Sequence, residues 1–161
     1  APDGAVAKIS KNCSYFKGVA QVYENENDML LALENHQIEE NTAIIIRNQG
    51  PKGSPGMPEL LKPSSALIGY GLKNVALITD GRWSGGSNGF LIGHITPESF
   101  EEGPLKNVSD GDIITIDLEK GMIDFTSKSN KNKNKYVTED LTGYLKKYRK
   151  LVSSASLGCV L

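Results

Sequence analysis

The chain has 161 residues, 39% apolar and 23% charged, enough for one domain with its own hydrophobic core. A formal net charge of −1 gives no electrostatic reason to expect a nucleic acid or an acidic membrane as partner, and no apolar run approaches the ~20 residues that span a bilayer. The two cysteines, Cys13 and Cys159, stand near opposite ends, a spacing that is neither a disulfide framework nor a metal cluster, so they read as unpaired thiols in a reducing compartment.

The opening Ala1-Pro2-Asp3-Gly4 carries no signal-peptide pattern and no initiating Met, and is expected to be a cut inside a longer chain or a processed end. Weak alternation then predicts two short strands, Ala7–Ile9 and Val19–Tyr23. Asn25–His36 predicts a helix with Met29, Leu30 and Leu33 as its apolar stripe, Asn27 or Asp28 near its start, and His36 at its end. Ala43–Ile46, rich in β-branched residues, predicts a buried strand. Gly50-Pro51-Lys52-Gly53-Ser54-Pro55-Gly56 is punctuated too often for regular structure. Pro58 stands where a helix can begin, placing Glu59 in a first turn, and Pro63 separates that element from a second helix that Gly71 ends.

Val75–Ile78 predicts another strand, which runs into Asp80-Gly81 and the segment Arg82-Trp83-Ser84-Gly85-Gly86-Ser87-Asn88-Gly89. Phe90–Ile95 resumes strand character, and Thr96-Pro97-Glu98 has the order of a helix start. Ile114, Ile116 and Leu118 share one strand face, followed by a turn at Glu119-Lys120-Gly121 and a strand Met122–Phe125. Ser127–Lys135 lacks any apolar anchor and predicts a solvated loop. A last helix from about Glu139 to Val152 sets Leu141, Tyr144, Leu145, Tyr148 and Leu151 at helical spacing, as core packing requires. Residues 1–161 thus read as a single domain of mixed α+β class, mostly β.

Each Gly-rich stretch follows an apolar strand and holds one candidate. A carboxylate at a helix start, Glu59, is favoured by the dipole and suits a hard cation such as Mg²⁺; a plain helix-start acid is the alternative. Ser84 lies between Trp83 and two glycines, and glycines let the chain enter left-handed conformations in which consecutive amides converge on an anion. A serine there suits a base or nucleophile with a stabilised oxyanion; an exposed serine in a turn is the alternative. No Gly-Lys-Ser/Thr follows, so this is not a Walker loop, and Arg82 replaces the first glycine of a Gly-x-Ser-x-Gly elbow. His36 and His94 have no sequence neighbours that complete a Ser-His-Asp triad; His94 reads as a packed strand residue and Arg47 as a partner for a carboxylate.

The stretches Gly50-Pro51-Lys52-Gly53-x-Pro55-Gly56-Met57-Pro58-Glu59-Leu60-Leu61-Lys62-Pro63 and Asp80-Gly81-Arg82-x-Ser84-Gly85-Gly86 resemble the C-terminal signatures of dihydroxy-acid dehydratases. Gly93-His94-Ile95-x-Pro97-Glu98, the opening Ala1–Ile9 and the closing Lys150–Ser156 extend the resemblance over nearly the whole chain. It implies a swivelling β/β/α domain, a small β-barrel flanked by helices, forming the C-terminal domain of a longer hydro-lyase. The implied reaction dehydrates 2,3-dihydroxy-3-methylbutanoate and its methylvalerate homologue to 2-keto acids in branched-chain amino-acid synthesis.

By the same resemblance Ser84 is the base that takes the C2 proton and Glu59 is a Mg²⁺ ligand. An iron–sulfur cluster takes its cysteines from an N-terminal domain, so this chain alone is expected to be inactive. A small dihydroxy acid, that N-terminal domain and a second copy in a homodimer are the implied partners. The implied location is the cytoplasm, or the plastid or mitochondrial matrix in a eukaryote. Related sugar-acid and phosphogluconate dehydratases are the alternative substrate class, and a non-catalytic anion-binding module the alternative function. The sequence departs from the family pattern at Asn48, Gln49 and Trp83 and over Ser127–Lys135; loss of an acid at Gln49 is expected to weaken a pairing with Arg47.

Overall fold

The computed structural model describes residues 1–10, 13–127 and 140–161. Among them are nine strands and three α-helices: β1 (Gly4–Ile9), β2 (Tyr15–Tyr23), α1 (Glu26–Glu34), β3 (Thr42–Ile46), β4 (Glu59–Leu60), α2 (Lys62–Gly69), β5 (Ala76–Thr79), β6 (Arg82–Trp83), β7 (Phe90–Thr96), β8 (Ile113–Asp117), β9 (Met122–Thr126) and α3 (Gly143–Leu151). Seven strands form one sheet in the order β1-β7-β5-β3-β2-β8-β9, while β4 and β6 make a separate ladder. The central strands β2, β3, β5 and β7 are parallel. Parallel neighbours need crossovers, which α1 provides between β2 and β3 and α2 between β3 and β5. The outer pairs are antiparallel.

Period-two alternation divides β3 between two cores. Ile44 and Ile46 meet Met29 and Leu33 of α1 and Leu67 of α2. Ala43 and Ile45 face the other way, with Phe16, Ile78, Ile92, Ile114 and Ile116. Both faces being covered, all five β3 residues are buried, which is why this strand reads as a continuous apolar run. The edge strands β1 and β9 line one common groove with Ile92 and Ile116, so the sheet curls. The mixed, mostly β class therefore holds, with a half-barrel left open between β1 and β9 in place of a closed small barrel. No helix among the described residues is long and apolar enough to cross a membrane.

Several local expectations are corrected by long-range contacts. Pro58 does not open a helix: Glu59 and Leu60 pair in parallel with Arg82 and Trp83. The helix starts at Lys62, with Pro63 in its first turn, where a missing N–H breaks no bond. Asn27 and Asp28 do lie in the first turn of α1, and Asn25 caps it, its side chain accepting the Asp28 N–H at 2.9 Å. His36 lies beyond the helix end, exposed and edge-on to Tyr70. Thr96-Pro97-Glu98 leads only into a three-residue 3-10 turn, Ser99–Glu101, through a cis Thr96–Pro97 bond.

The apolar stripe of α3 is not core. Tyr144, Leu145 and Leu151 are 69%, 48% and 56% exposed, and no residue of the helix is buried. Helical spacing shows that an apolar face exists, not which surface covers it. From residue 128 onward the segment expected as a solvated loop lies outside the described residues, as does the expected helix start at 139.

Candidate active site

Both Gly-rich segments leave the C-terminal ends of adjacent parallel strands, β3 and β5. In open parallel sheets that end is where amides and side chains are free to meet a ligand. The β4–β6 ladder then joins the segments, pairing Glu59 with Arg82 and Leu60 with Trp83, and the Ser84 N–H extends it by donating to the Leu60 carbonyl at 2.9 Å. Leu60 and Trp83 pack inward on the α1–α2 core, where the indole N–H donates to the Ile92 carbonyl at 3.0 Å. Glu59 and Arg82 point outward and are exposed. Continued alternation puts Ser84 on their side. Two candidates far apart in the chain thus share one rim.

Ser84 begins a tight turn. The Ser87 N–H donates to the Ser84 carbonyl at 3.0 Å, the Gly86 N–H reaches Ser84 Oγ at 3.4 Å, and Ser87 Oγ donates to the Leu60 carbonyl at 3.3 Å. From β1, Lys8 Nζ donates to the carbonyls of Ser84 at 3.2 Å and Gly85 at 2.5 Å. The expected left-handed backbone is absent, since neither Gly85 nor Gly86 has a positive φ. These glycines contribute space instead: a Cβ on Gly85 meets nothing within 4 Å.

Two buried carboxylates hold the first Gly-rich segment, and sequence reasoning assigned neither a function. Asp80, at the end of β5, accepts the N–H groups of Asn48, Gln49 and Ser99 at 3.1, 2.8 and 2.8 Å. Burial pushes its pKa up, and those hydrogen bonds oppose the shift. Glu98 accepts from the N–H of Lys52 at 2.9 Å and of Gly53 at 3.1 Å. Burial raises it from 4.5 to about 7, with the two N–H groups pulling the other way. Gly50 allows this approach, because a Cβ there would lie 2.0 Å from Glu98 Oε2. All three of Asp80, Glu98 and Lys8 lie in stretches that carry the family resemblance, and Asp80 also ends an apolar strand, but no local pattern gave Lys8 or Glu98 its role, since their partners are remote.

Arg47 takes the structural role. It pairs with Glu24 at 2.6 Å and donates to the carbonyls of Lys106 and Val108. Gln49 donates its amide to the Glu24 and Arg47 carbonyls, so the missing acid at that position leaves the Arg47–Glu24 pair intact. His94 sits half-buried in β7 with φ 52°, its N–H donating to the Gly81 carbonyl. Burial and then Arg82 lower its pKa, which favours the neutral ring.

Among the described residues no three His, Cys, Asp or Glu side chains gather where a metal ion can be held. Exposed Glu59 suits one hard-oxygen ligand of a shared Mg²⁺ site. The cysteines do not suit an iron–sulfur cluster: Cys13 donates to the Tyr15 carbonyl, and burial followed by Glu98 pushes the Cys159 thiol up, away from the thiolate a cluster needs.

The family model described as dihydroxy-acid/6-phosphogluconate dehydratase C-terminal matches residues 1–159. The chain is 54% identical to the mitochondrial dihydroxy-acid dehydratase of Saccharomyces cerevisiae, with 100% of the chain and 29% of that protein covered. It is 49% identical to the dihydroxy-acid dehydratase of Francisella tularensis, covering 99% of the chain and 30% of the relative. Against the chloroplastic dihydroxy-acid dehydratase of Arabidopsis thaliana the identity is 49%, over 99% of the chain and 28% of the relative. The chain therefore spans less than a third of the curated relatives it matches.

Proposed function

The chain belongs to the dihydroxy-acid/6-phosphogluconate dehydratase C-terminal family, and from that premise we propose that it is the proton-abstracting domain of a dihydroxy-acid dehydratase. The observation that carries this is the β4–β6 ladder, which brings exposed Glu59 and half-buried Ser84 to one rim. The substrate class is a dihydroxy acid, as the names of the relatives say of those proteins; the branched-chain 2,3-dihydroxy acids 2,3-dihydroxy-3-methylbutanoate and its methylvalerate homologue are the proposed members. The remaining length of the relatives corresponds to the proposed N-terminal partner domain, and a homodimer is the proposed assembly. In a eukaryote the mitochondrion or plastid is the proposed location, and otherwise the cytoplasm. The domain is read as the swivelling β/β/α type, which its half-barrel with helices on one face supports.

In the proposed reaction Ser84 Oγ, ionised as the alkoxide, takes the C2 proton, and the C3 hydroxyl departs as hydroxide. The Ser84 hydroxyl returns the proton to it, so that water leaves and the alkoxide is restored. The enol that remains tautomerises to the 2-keto acid. The turn amide at Gly86 supports negative charge on Ser84 Oγ, and the space over Gly85 admits substrate. Glu59 would hold Mg²⁺ as one of several ligands, and the bound ion supplies charge neutralisation at the substrate carboxylate and acidity at C2. The cysteines of this chain take no part in a cluster.

S84A in the full-length enzyme is expected to cut turnover by about 10²–10⁴-fold, the usual worth of a positioned general base, with metal content unchanged. Near wild-type turnover overturns the serine-base role. In the same protein E59Q should weaken Mg²⁺ binding in a metal titration; unaltered affinity removes Glu59 from the ligand set.

A further inference from the structure

Lys8 lies on β1, opposite Leu91 of β7, and reaches from the seven-stranded sheet to the Ser84 turn, which extends the separate β4–β6 ladder. It makes no ion pair among the described residues, and its ammonium is spent on two consecutive carbonyls, those of Ser84 and Gly85. In a trans peptide the C=O and the following N–H point in opposite directions. Drawing both carbonyls to one side therefore turns the Gly85 and Gly86 N–H groups to the other, and the Gly86 N–H is found 3.4 Å from Ser84 Oγ. The Ser87 N–H also holds the Ser84 carbonyl, at 3.0 Å, and Lys8 adds a grip on the Gly85 carbonyl.

We infer that Lys8 is a positioning residue for Ser84, gripping the two carbonyls so that the turn amides face the serine hydroxyl. The ammonium also lies at the negative end of both peptide dipoles and adds its own field to the site. The inference rests on the assignment of Ser84 as the base. Lys8 contacts the turn itself, Arg82 stands two residues before Ser84 on β6, and Glu59 pairs with Arg82 across the ladder, so Lys8 and Arg82 favour an ionised serine and Glu59 opposes it.

The test compares K8M, K8R and S84A in the full-length enzyme, with kcat, KM, the pH profile of kcat and thermal unfolding measured for each. K8M is expected to lower kcat about 10–100-fold with KM within about threefold, and to move the rising limb of the profile about one pH unit upward. K8R should recover most of kcat and return the limb, because a guanidinium also donates to two carbonyls. K8M added to S84A should have no further effect. Wild-type kcat in K8M, or equal losses in K8M and K8R with an unmoved limb, overturns the positioning role; K8Q takes the place of K8M if that variant does not fold. Loss of turnover in S84A with an unaffected K8M defeats only this inference, whereas an active S84A defeats the serine base itself.

Discussion

Glu98 is only 3% exposed, yet carries a carboxyl whose pKa is about 7. Between its ordinary 4.5 and about 7 the folded chain holds a proton that the unfolded chain has lost. Its contribution to stability is therefore full below pH 4.5 and is lost as pH rises toward 7, a difference of roughly 3 kcal/mol between the limits. His94 acts in the opposite sense, since its lowered pKa removes stability as pH falls through 6.5. In E98Q the dependence of the urea midpoint on pH between 5 and 7 should lose the downward component due to Glu98; a slope equal to that of the wild type would show that the carboxyl ionises as freely when folded as when unfolded. Glu98 shows why single residues were the least legible level of the site. Nothing in Thr96-Pro97-Glu98 announces that its acid turns back to meet the amides of Lys52 and Gly53.

The two-residue strands β4 and β6 are the clearest case at the element scale. Neither stretch is long enough to declare itself by alternation, and a helix start at Pro58 was the better local reading. Pairing across the two Gly-rich segments overrides it, and in doing so places Ser84 beside the Glu59 strand. α3 fails in the opposite way: its apolar spacing is strong, but its surface has no cover in the described chain. One anchor on it is Arg149, stacked 4.8 Å over Phe100 and donating to the Lys52 carbonyl, which ties the helix to the first Gly-rich segment. L145S should consequently change the unfolding free energy of the chain by no more than about 0.5 kcal/mol, as for other exposed positions. A loss of about 2 kcal/mol or more in denaturant titration would instead mean that Leu145 is covered in solution.

For the whole molecule the consequence is division of labour. With one proposed metal ligand and one proposed base, the chain alone should show no dehydratase turnover in an assay with Mg²⁺ and 2,3-dihydroxy-3-methylbutanoate; measurable turnover would mean that it holds a complete site. The sequence by itself determined the mostly β class, the strand cores and the two loops with Glu59 and Ser84, because apolar period and Gly/Pro punctuation are local properties. It also carried the family, because its motifs are contiguous. Only the tertiary structure decided that the half-barrel stays open, that β4 meets β6, and that Lys8, Asp80 and Glu98 converge on those loops. Hydrogen bonds between residues remote in the chain depend on how the sheet brings β1, β3, β5 and β7 side by side, and no local pattern encodes that order.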